Sequence, residues 1–433
     1  MSTTHLSKVA FTTLDLHPDV MTGVTSAGFE YCTPIQAQAL PDALQGRDVA
    51  GQAQTGTGKS AAFLLATFNR LRTRPAADGR RANDPRAIML APTRELAIQI
   101  FNDAEILNSG CGFRLCLAFG GTDYEKQRTA ISNGVDILIG TPGRLIDYFK
   151  QKVYSLNHAE VLVLDEADRM FDLGFIKDIR YVMRRLPPPT KRLNLMFSAT
   201  LSHRVLELAY EHMNDPTLIR VEAESVAADR IKQAVYYPSN DEKLPLLIGL
   251  LRKTDPSRTM VFVNTKRAAE MVQATLQANG FSALAISGDV PQKKRMTMLK
   301  KFQSGDLQIL VGTDVASRGL HIDNVSHIFN YDLPQDPEDY VHRIGRTARA
   351  GAHGEAISFG CEDYAQSLPD IEKFVGYTIP MVHVEPEMLA EYTRGKPVRR
   401  KPRSGAGKSR GNFKGHAKKT PDKRRRRPPR KNA

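Results

Sequence analysis

The stretch Ala53-Gln54-Thr55-Gly56-Thr57-Gly58-Lys59-Ser60 decides the fold. It follows a short apolar run at 48–50 and opens into a helical pattern at 61–71. Strand, glycine-rich turn and helix in that order are what a phosphate-binding loop requires. Glycines let the backbone wrap closely, so that its N–H groups face phosphate oxygens. The helix that follows adds the positive end of its dipole. Lys59 can reach the β- and γ-phosphates of a nucleoside triphosphate, and the Ser60 hydroxyl can ligate Mg²⁺. Ala53 stands where a first glycine is usual. An ordinary glycine-rich turn is the competing reading, and the rest of the chain weighs against it.

The chain has 433 residues, which suggests two or three domains. With 25% charged and 41% apolar residues the composition is that of a globular protein. No apolar run reaches the roughly 18 residues that span a bilayer. The first ten residues lack an apolar signal core, so a soluble, cytoplasmic protein is expected. Cys32, Cys111, Cys116 and Cys361 form no Cys-x-x-Cys pair, which points to reduced, mostly buried thiols and to neither zinc nor a disulfide framework. The net charge of +14 is uneven. Residues 394–433 hold 18 Lys or Arg and one acid, Asp422, and so carry +17, which leaves −3 for the body. Apolar residues nearly vanish there, so this segment cannot bury enough surface to offset its chain entropy and reads as a disordered polycation.

Along the body, β-rich runs at 87–91, 115–119, 136–139, 161–164 and 193–197 alternate with helical patterns at 95–107, 124–132 and 176–186. A second set begins near Ile231, with strands at 259–263, 283–286, 309–312, 325–330 and 355–359. Its helical runs lie at 241–251, 268–279, 293–303 and 337–344. Such alternation implies βαβ units and parallel sheets, here two copies of one α/β fold class. Before them comes a polar lead-in with one helix at 18–27.

The run Val161-Leu162-Val163-Leu164-Asp165-Glu166-Ala167-Asp168 is an apolar strand that ends in acids. In a parallel sheet such acids sit at the carboxyl edge, beside the phosphate loop. Asp165 would hold Mg²⁺, partly through water, and Glu166 would orient the attacking water. A solvated acidic turn is the bland alternative. Asp-Glu-Ala-Asp after a phosphate loop resembles the DEAD-box RNA helicases, and further motifs of that family follow in order. Gly28-Phe29-Glu30-Tyr31-Cys32-Thr33-Pro34-Ile35-Gln36, with Phe11 upstream, resembles the adenine-reading motif, within 9–37. The resemblance implies that Gln36 reads the adenine edge and Phe29 stacks on the ring. Pro92-Thr93-Arg94-Glu95-Leu96, Gly120-Gly121 and Thr141-Pro142-Gly143-Arg144 resemble the RNA-backbone motifs, which implies RNA contacts at Arg94, Gly121, Thr141 and Arg144. Ser198-Ala199-Thr200 resembles the element that couples hydrolysis to unwinding. In the second half, Val261-Phe262-Val263-Asn264 and Gln292-x-x-Arg295 match, then Thr313-Asp314 and Arg318-Gly319-Leu320. There Thr313 would touch RNA and Asp314 the nucleotide. His342-Arg343-Ile344-Gly345-Arg346-Thr347-Ala348-Arg349 carries two arginine fingers, Arg346 and Arg349. His321 and Ala348 depart from the commonest family wording. His321 puts the detailed coupling between halves in doubt, because a carboxylate contact would be missing there, although one bacterial branch of the family carries the same wording.

The implied architecture is two tandem RecA-like domains at 40–220 and 231–392. A lead-in precedes them at 1–39, a linker joins them at 221–230, and the basic tail follows at 393–433. The fingers lie in one half and the phosphate loop in the other, so ATP would need both halves to complete charge stabilisation of the transition state. RNA bound across both would favour the same closed state, and each ligand should tighten the other. Backbone and 2′-OH contacts would make RNA recognition largely sequence-independent. A surface salt bridge is the commoner role of any one arginine. A DNA-directed motor and a non-catalytic RNA clamp are the competing functions; Gln36 argues against the first, and Lys59, Asp165 and Glu166 against the second. The resemblance also implies an RNA-degradation complex with an endoribonuclease as the setting.

Deleting 394–433 should leave RNA-stimulated kcat nearly intact, because no motif residue lies beyond Arg349. Each phosphate neutralised on a single strand adds roughly 0.7 to the slope of log K against log salt, so a tail that neutralises about five of them accounts for roughly 3 to 4 of that slope. Fluorescent RNA titrated at several salt concentrations against the full and shortened chains checks this; equal slopes would mean that the tail does not touch RNA, and would favour an acidic partner for it.

Overall fold

Short runs of β-branched and aliphatic residues, alternating with helices, fold here as βαβ units. The computed structural model describes residues 6–53, 56–221, 231–254, 258–314, 322, 325–347 and 354–396. In the first lobe, strands β1 (Val49–Gln52), β2 (Ala87–Leu90), β3 (Leu115–Ala118), β4 (Ile137–Gly140), β5 (Val161–Asp165), β6 (Leu193–Ser198) and β7 (Thr217–Arg220) form one sheet. Their order is β3-β4-β2-β5-β6-β1-β7, with every pairing parallel. In the second lobe the strands are β8 (Ile231–Tyr236), β9 (Thr259–Phe262), β10 (Ala283–Ile286), β11 (Ile309–Gly312), β12 (His327–Asn330), β13 (Gly354–Phe359) and β14 (Met381–Val382). They run β10-β11-β9-β12-β13-β8-β14, again all parallel. Shifted by seven, the second order is the first. The expectation of two parallel α/β lobes of one fold class is met.

Helices cover both faces of each sheet, which is why inner strands such as β2, β4 and β11 are apolar and buried throughout instead of alternating. Along β5, Val161 and Val163 enter one core while Leu162 and Leu164 enter the other. Along β9, Met260 and Phe262 face one core and Val261 the opposite one. The helices of the first lobe are α1 (Pro18–Ser26), α2 (Pro34–Leu44), α3 (Lys59–Thr73), α4 (Arg94–Leu107), α5 (Tyr124–Ser132), α6 (Pro142–Lys150), α7 (Ala167–Asp172), α8 (Ile176–Met183) and α9 (His203–His212). Those of the second are α10 (Lys243–Thr254), α11 (Lys266–Ala278), α12 (Gln292–Ser304), α13 (Pro337–Ile344) and α14 (Leu368–Val375). Thr93 and Asp123 cap α4 and α5, accepting from Leu96 N and Lys126 N, and so fix where each helix leaves its strand.

Several elements escape the sequence pattern. Helix α6, absent from the helical patterns of the sequence, starts inside the Thr141-Pro142-Gly143-Arg144 motif with proline at its first position. Helix α2 carries Pro41 in its interior. Strand β7 is a four-residue edge with two exposed positions, too short to give a period. The lead-in is less detached than its polarity suggests. Phe11, Val20 and Val24 are buried in the first-lobe core, and residues 7–11 pair with 30–32 through Ser7 N–Cys32 O, Cys32 N–Val9 O and Phe11 N–Glu30 O. The expected linker beyond 221 and the tail beyond 396 lie outside the described residues.

At the sheet edge far from the phosphate loop, Asp48 is 2% exposed and accepts three hydrogen bonds. Asn194 N (2.8 Å) and Nδ2 (2.7 Å) and Asn214 N (2.7 Å) tie β1, β6 and the turn into β7 through it. Burial raises its pKa against these bonds, which lower it. Asp48→Ala leaves those donors buried without an acceptor, which costs about 2–4 kcal/mol. The urea unfolding midpoint of the first lobe should fall accordingly, with ATP turnover of the folded protein unchanged.

Candidate active site and nucleic-acid interface

The phosphate loop owes its shape to two left-handed glycines. Gly56 (φ 85°) and Gly58 (φ 89°) sit where other residues are strained. A Cβ on Gly58 would also lie 2.5 Å from Gln36 Nε2, so only glycine fits there. Helix α3 starts at Lys59, two residues before the helical pattern at 61–71. The Lys59 ammonium is buried and donates to the Ala53 carbonyl at 2.8 Å, while the Ala53 N–H donates to Ser198 O at 3.0 Å. The residue in place of the usual first glycine thus joins the loop to β6 through its backbone alone.

Strand β5 delivers the acids to the same edge. Asp165 is fully enclosed, and burial pushes its carboxyl up to about 6, with Lys59 opposing and Glu166 and Asp168 reinforcing the shift. Its Oδ1 accepts from the Glu166 N–H at 3.0 Å. Asp168 is hydrogen-bonded to the end of β6 and the turn after it. Its Oδ2 accepts from Ala199 N and Thr200 N, both at 3.1 Å, and its own N–H donates to Ser198 Oγ at 3.1 Å. The Ser-Ala-Thr stretch is therefore fastened to the last acid of the motif, a role for Asp168 that its position in the sequence did not disclose.

A cavity of about 470 Å³ gathers Phe29, Gln36, Gly56, Gly58, Lys59 and Ser60. Asp165 and Glu166 line it as well, and Arg346 of the second lobe completes the wall. Thr57 lies within the loop, and Ala53 stands behind it through the Lys59 contact. Gln54, Thr55, His321, Ala348 and Arg349 lie outside the described residues. Gln36 Oε1 accepts from Thr33 N at 2.8 Å, and Nε2 donates to Gly58 O at 3.0 Å, so each amide atom keeps one further bond to offer. Phe29 is 39% exposed and stacks on buried Phe11 with ring centres 6.0 Å apart. Asp314 does not line this cavity. It forms a two-pronged ion pair with Arg343, Oδ1–Nε 2.7 Å and Oδ2–Nη2 2.6 Å. Arg343 also reaches Asn264 Oδ1 at 3.0 Å and the Asp332 carbonyl at 2.6 Å.

A second cavity of about 630 Å³ brings together Arg94, Thr141 and Arg144 with Gly120, Gln292 and Arg295. Gly121 packs against the Arg94 guanidinium, which a Cβ there would meet at 2.4 Å. Arg144 lies over the Tyr124 ring, 4.8 Å from its centre, and donates to Tyr148 Oη at 3.1 Å. Tyr148 is its neighbour one helical turn on, which spacing could have shown; Tyr124 could not be found that way. Thr313 follows β11 and lines neither cavity. Across this cavity Glu95 of the first lobe accepts from Gln292 Nε2 at 3.1 Å and pairs with Arg295 Nε at 3.0 Å. Sequence reading matched Gln292 and Arg295 as a motif but gave them no partner.

The four cysteines are free and buried, and burial pushes Cys32, Cys111 and Cys116 up to about 11. Among the described residues no helix is long and apolar enough to cross a membrane.

Two family models match in tandem: DEAD/DEAH box helicase over residues 33–208 and helicase conserved C-terminal domain over 242–351. The chain is 59% identical to the ATP-dependent RNA helicase RhlB of Xanthomonas oryzae over 92% of its own length and 70% of the relative's. It is 57% identical to the protein of that name from Vibrio cholerae, covering 90% and 89%. Among solved structures, Saccharomyces cerevisiae Dbp5 bound to RNA and ADP BeF3 superposes with a TM-score of 0.75 at 31% identity, over 87% of this chain and 95% of that one. Mss116p bound to ssRNA and AMP-PNP gives 0.77 at 26%, over 90% and 84%. With both models matched and relatives at this identity over nine-tenths of its length, the chain belongs to the DEAD-box family of ATP-dependent RNA helicases, enzymes that hydrolyse ATP.

Proposed function

We propose that this enzyme couples ATP hydrolysis to the local opening of short RNA duplexes, largely regardless of sequence, in cytoplasmic RNA turnover beside an endoribonuclease. The observation that carries the reading is a single cavity walled by the phosphate loop and acids of one lobe and by Arg346 of the other. The turnover setting and the endoribonuclease partner rest on the resemblance to the bacterial relatives named above.

The residues fit a triphosphate with Mg²⁺. The loop turns through left-handed Gly56 and Gly58 to present Lys59 and Ser60 to the cavity, and buried Asp165 stands where a cation would keep it ionised. Among the described residues no group of three or more His, Cys, Asp or Glu forms a metal cage. Ser60 and Asp165 suit a small dication that keeps water and phosphate oxygens in its shell. When bound, Mg²⁺ neutralises charge on the transferred phosphoryl group.

Each side chain then has a task. Lys59, leaving the Ala53 carbonyl, supplies the cation for the γ-phosphate. Glu166 orients the attacking water. Arg346, with Arg349, meets the charge that develops in the transition state. Gln36 and Phe29 hold adenine by its edge and face. Asp314 acts on the nucleotide side by keeping Arg343 of the finger-bearing helix in place. Arg94, Gly121, Thr141, Arg144 and Thr313 contact the RNA backbone. Ser198 and Thr200, tied to Asp168, pass the state of the acids toward the second lobe. Closure of the lobes favours both ligands, so ATP and RNA each raise the other's affinity.

Lys59→Ala should lower RNA-stimulated kcat by at least about 10²-fold, since one charge-stabilising donor in such a site is worth that much; a rate within threefold of the parent would sink the phosphate-loop assignment. Glu166→Gln keeps the shape of the side chain and loses its charge. It should bind ATP and RNA as tightly as the parent while turnover falls by about 10² or more, general-base assistance being of that size. Filter binding with single-turnover ATP hydrolysis reads both, and comparing RNA with DNA stimulation in the same assay excludes a DNA-directed motor.

A further inference from the structure

Glu166 is held in a conformation that it would not choose. Three described non-glycine residues have positive φ, namely Lys152, Glu166 and Asp215, and only Glu166 (φ 54°, ψ 53°) is buried. Such a conformation is strained for a residue with a Cβ and persists only where its surroundings impose it. The backbone accounts for part of the restraint: the Glu166 N–H donates to Asp165 Oδ1 at 3.0 Å, and its carbonyl accepts from Met170 N at 3.2 Å. Neither contact fixes the carboxylate.

Among the described residues that carboxylate has one hydrogen-bond partner, Arg169. Arg169 Nη1 lies 3.3 Å from Glu166 Oε2, with the two side chains only 3% and 5% exposed. Glu166 lines the cavity and Arg169 does not, so the guanidinium stands behind the acid, away from the reacting groups. Other charges nearby are already engaged. Asp165 faces Lys59, and Asp168 is bound to 198–200. Three carboxylates within four residues repel one another. Without a cation behind it, the Glu166 side chain would be driven off its line toward solvent.

The ion pair is a poor stabiliser of the fold. Arg169 Nη2 is buried with no hydrogen-bond partner among the described residues. A buried guanidinium with an unmade bond is costly, and an apolar side chain of its volume would serve packing as well or better. We infer that Arg169 is a positioning residue that clamps the Glu166 carboxylate into the cavity. This deepens the role proposed for Glu166 and rests on it.

The test compares Arg169→Met, of similar length without charge, and Arg169→Lys with the parent and with Glu166→Gln, all in the full chain. RNA-stimulated kcat, KM for ATP and the thermal midpoint are measured together. Loss of a residue that orients another costs about 10–100-fold in activity, so the Met variant should lose that much kcat with KM within threefold and the midpoint unlowered, and Lys should restore most of the loss. A Met variant with parental kcat overturns the inference, as does one in which kcat, KM and midpoint fall together and Lys does no better than Met. Parental turnover in Glu166→Gln would instead refute the role of Glu166 itself. Should the Met variant fail to fold, Arg169→Gln decides in its place: at least a tenfold loss of kcat at unchanged KM supports the clamp, and a parental kcat overturns it.

Discussion

The balance of charge around one buried ammonium governs the catalytic edge. Lys59, at the start of the helix after β1, shares the carboxyl edge of the sheet with Asp165, Glu166 and Asp168, at the end of β5 and just after it, and all four are buried. A lone lysine cannot neutralise three carboxylates, and the lobe resolves this by giving each acid its own counterpart. Lysine opposes the first, an arginine one turn on meets the second, and backbone N–H groups of 199–200 receive the third. The sheet order makes this possible. It places β1 and β5 on either side of β6, so that the loop, the acids and the Ser-Ala-Thr turn emerge side by side.

The two lobes share their strand order but not their chemistry. In the second, the turn after β8 is Tyr237-Pro238-Ser239-Asn240, with no glycine and no lysine to grip phosphate. At its carboxyl edge stands instead an arginine system. Arg343 is 1% exposed and is bound by Asp314, Asn264 and the Asp332 carbonyl. Lys243 pairs with Asp332 at 2.5 Å and lies over the Tyr331 ring. That scaffold fixes the helix end from which Arg346 reaches the first lobe's cavity. Glu95, paired with Arg295, spans the lobes on the other side.

Much of this was legible in the residues. Apolar runs of four to six with helical patterns between them suffice to show parallel sheets, because strands covered on both faces must be apolar throughout. Lys59, Ser60, Asp165 and Glu166 were visible because chemistry dictates their types and spacing. What stayed hidden is whatever depends on long-range approach. Nothing local marks the acceptor that Asp168 offers to 199–200, the ring of Tyr124 beneath Arg144, or the partner of Arg295 in another lobe. Asp314 reads from its motif as a nucleotide contact, but nothing local marks its ion pair with Arg343.

The amide of Gln36 joins two kinds of recognition that are usually separate. It closes the capping box of α2 through Thr33 and grips the loop carbonyl of Gly58. A base that takes up the remaining bonds of this amide therefore acts on a group already attached to the phosphate cradle. Tightening one end stiffens the other, and whatever disturbs the cradle is felt at the base. Discrimination among nucleotides then need not reside in the base pocket alone: a wrong base would be penalised also by a looser hold on its own phosphates, so that identity is read as grip.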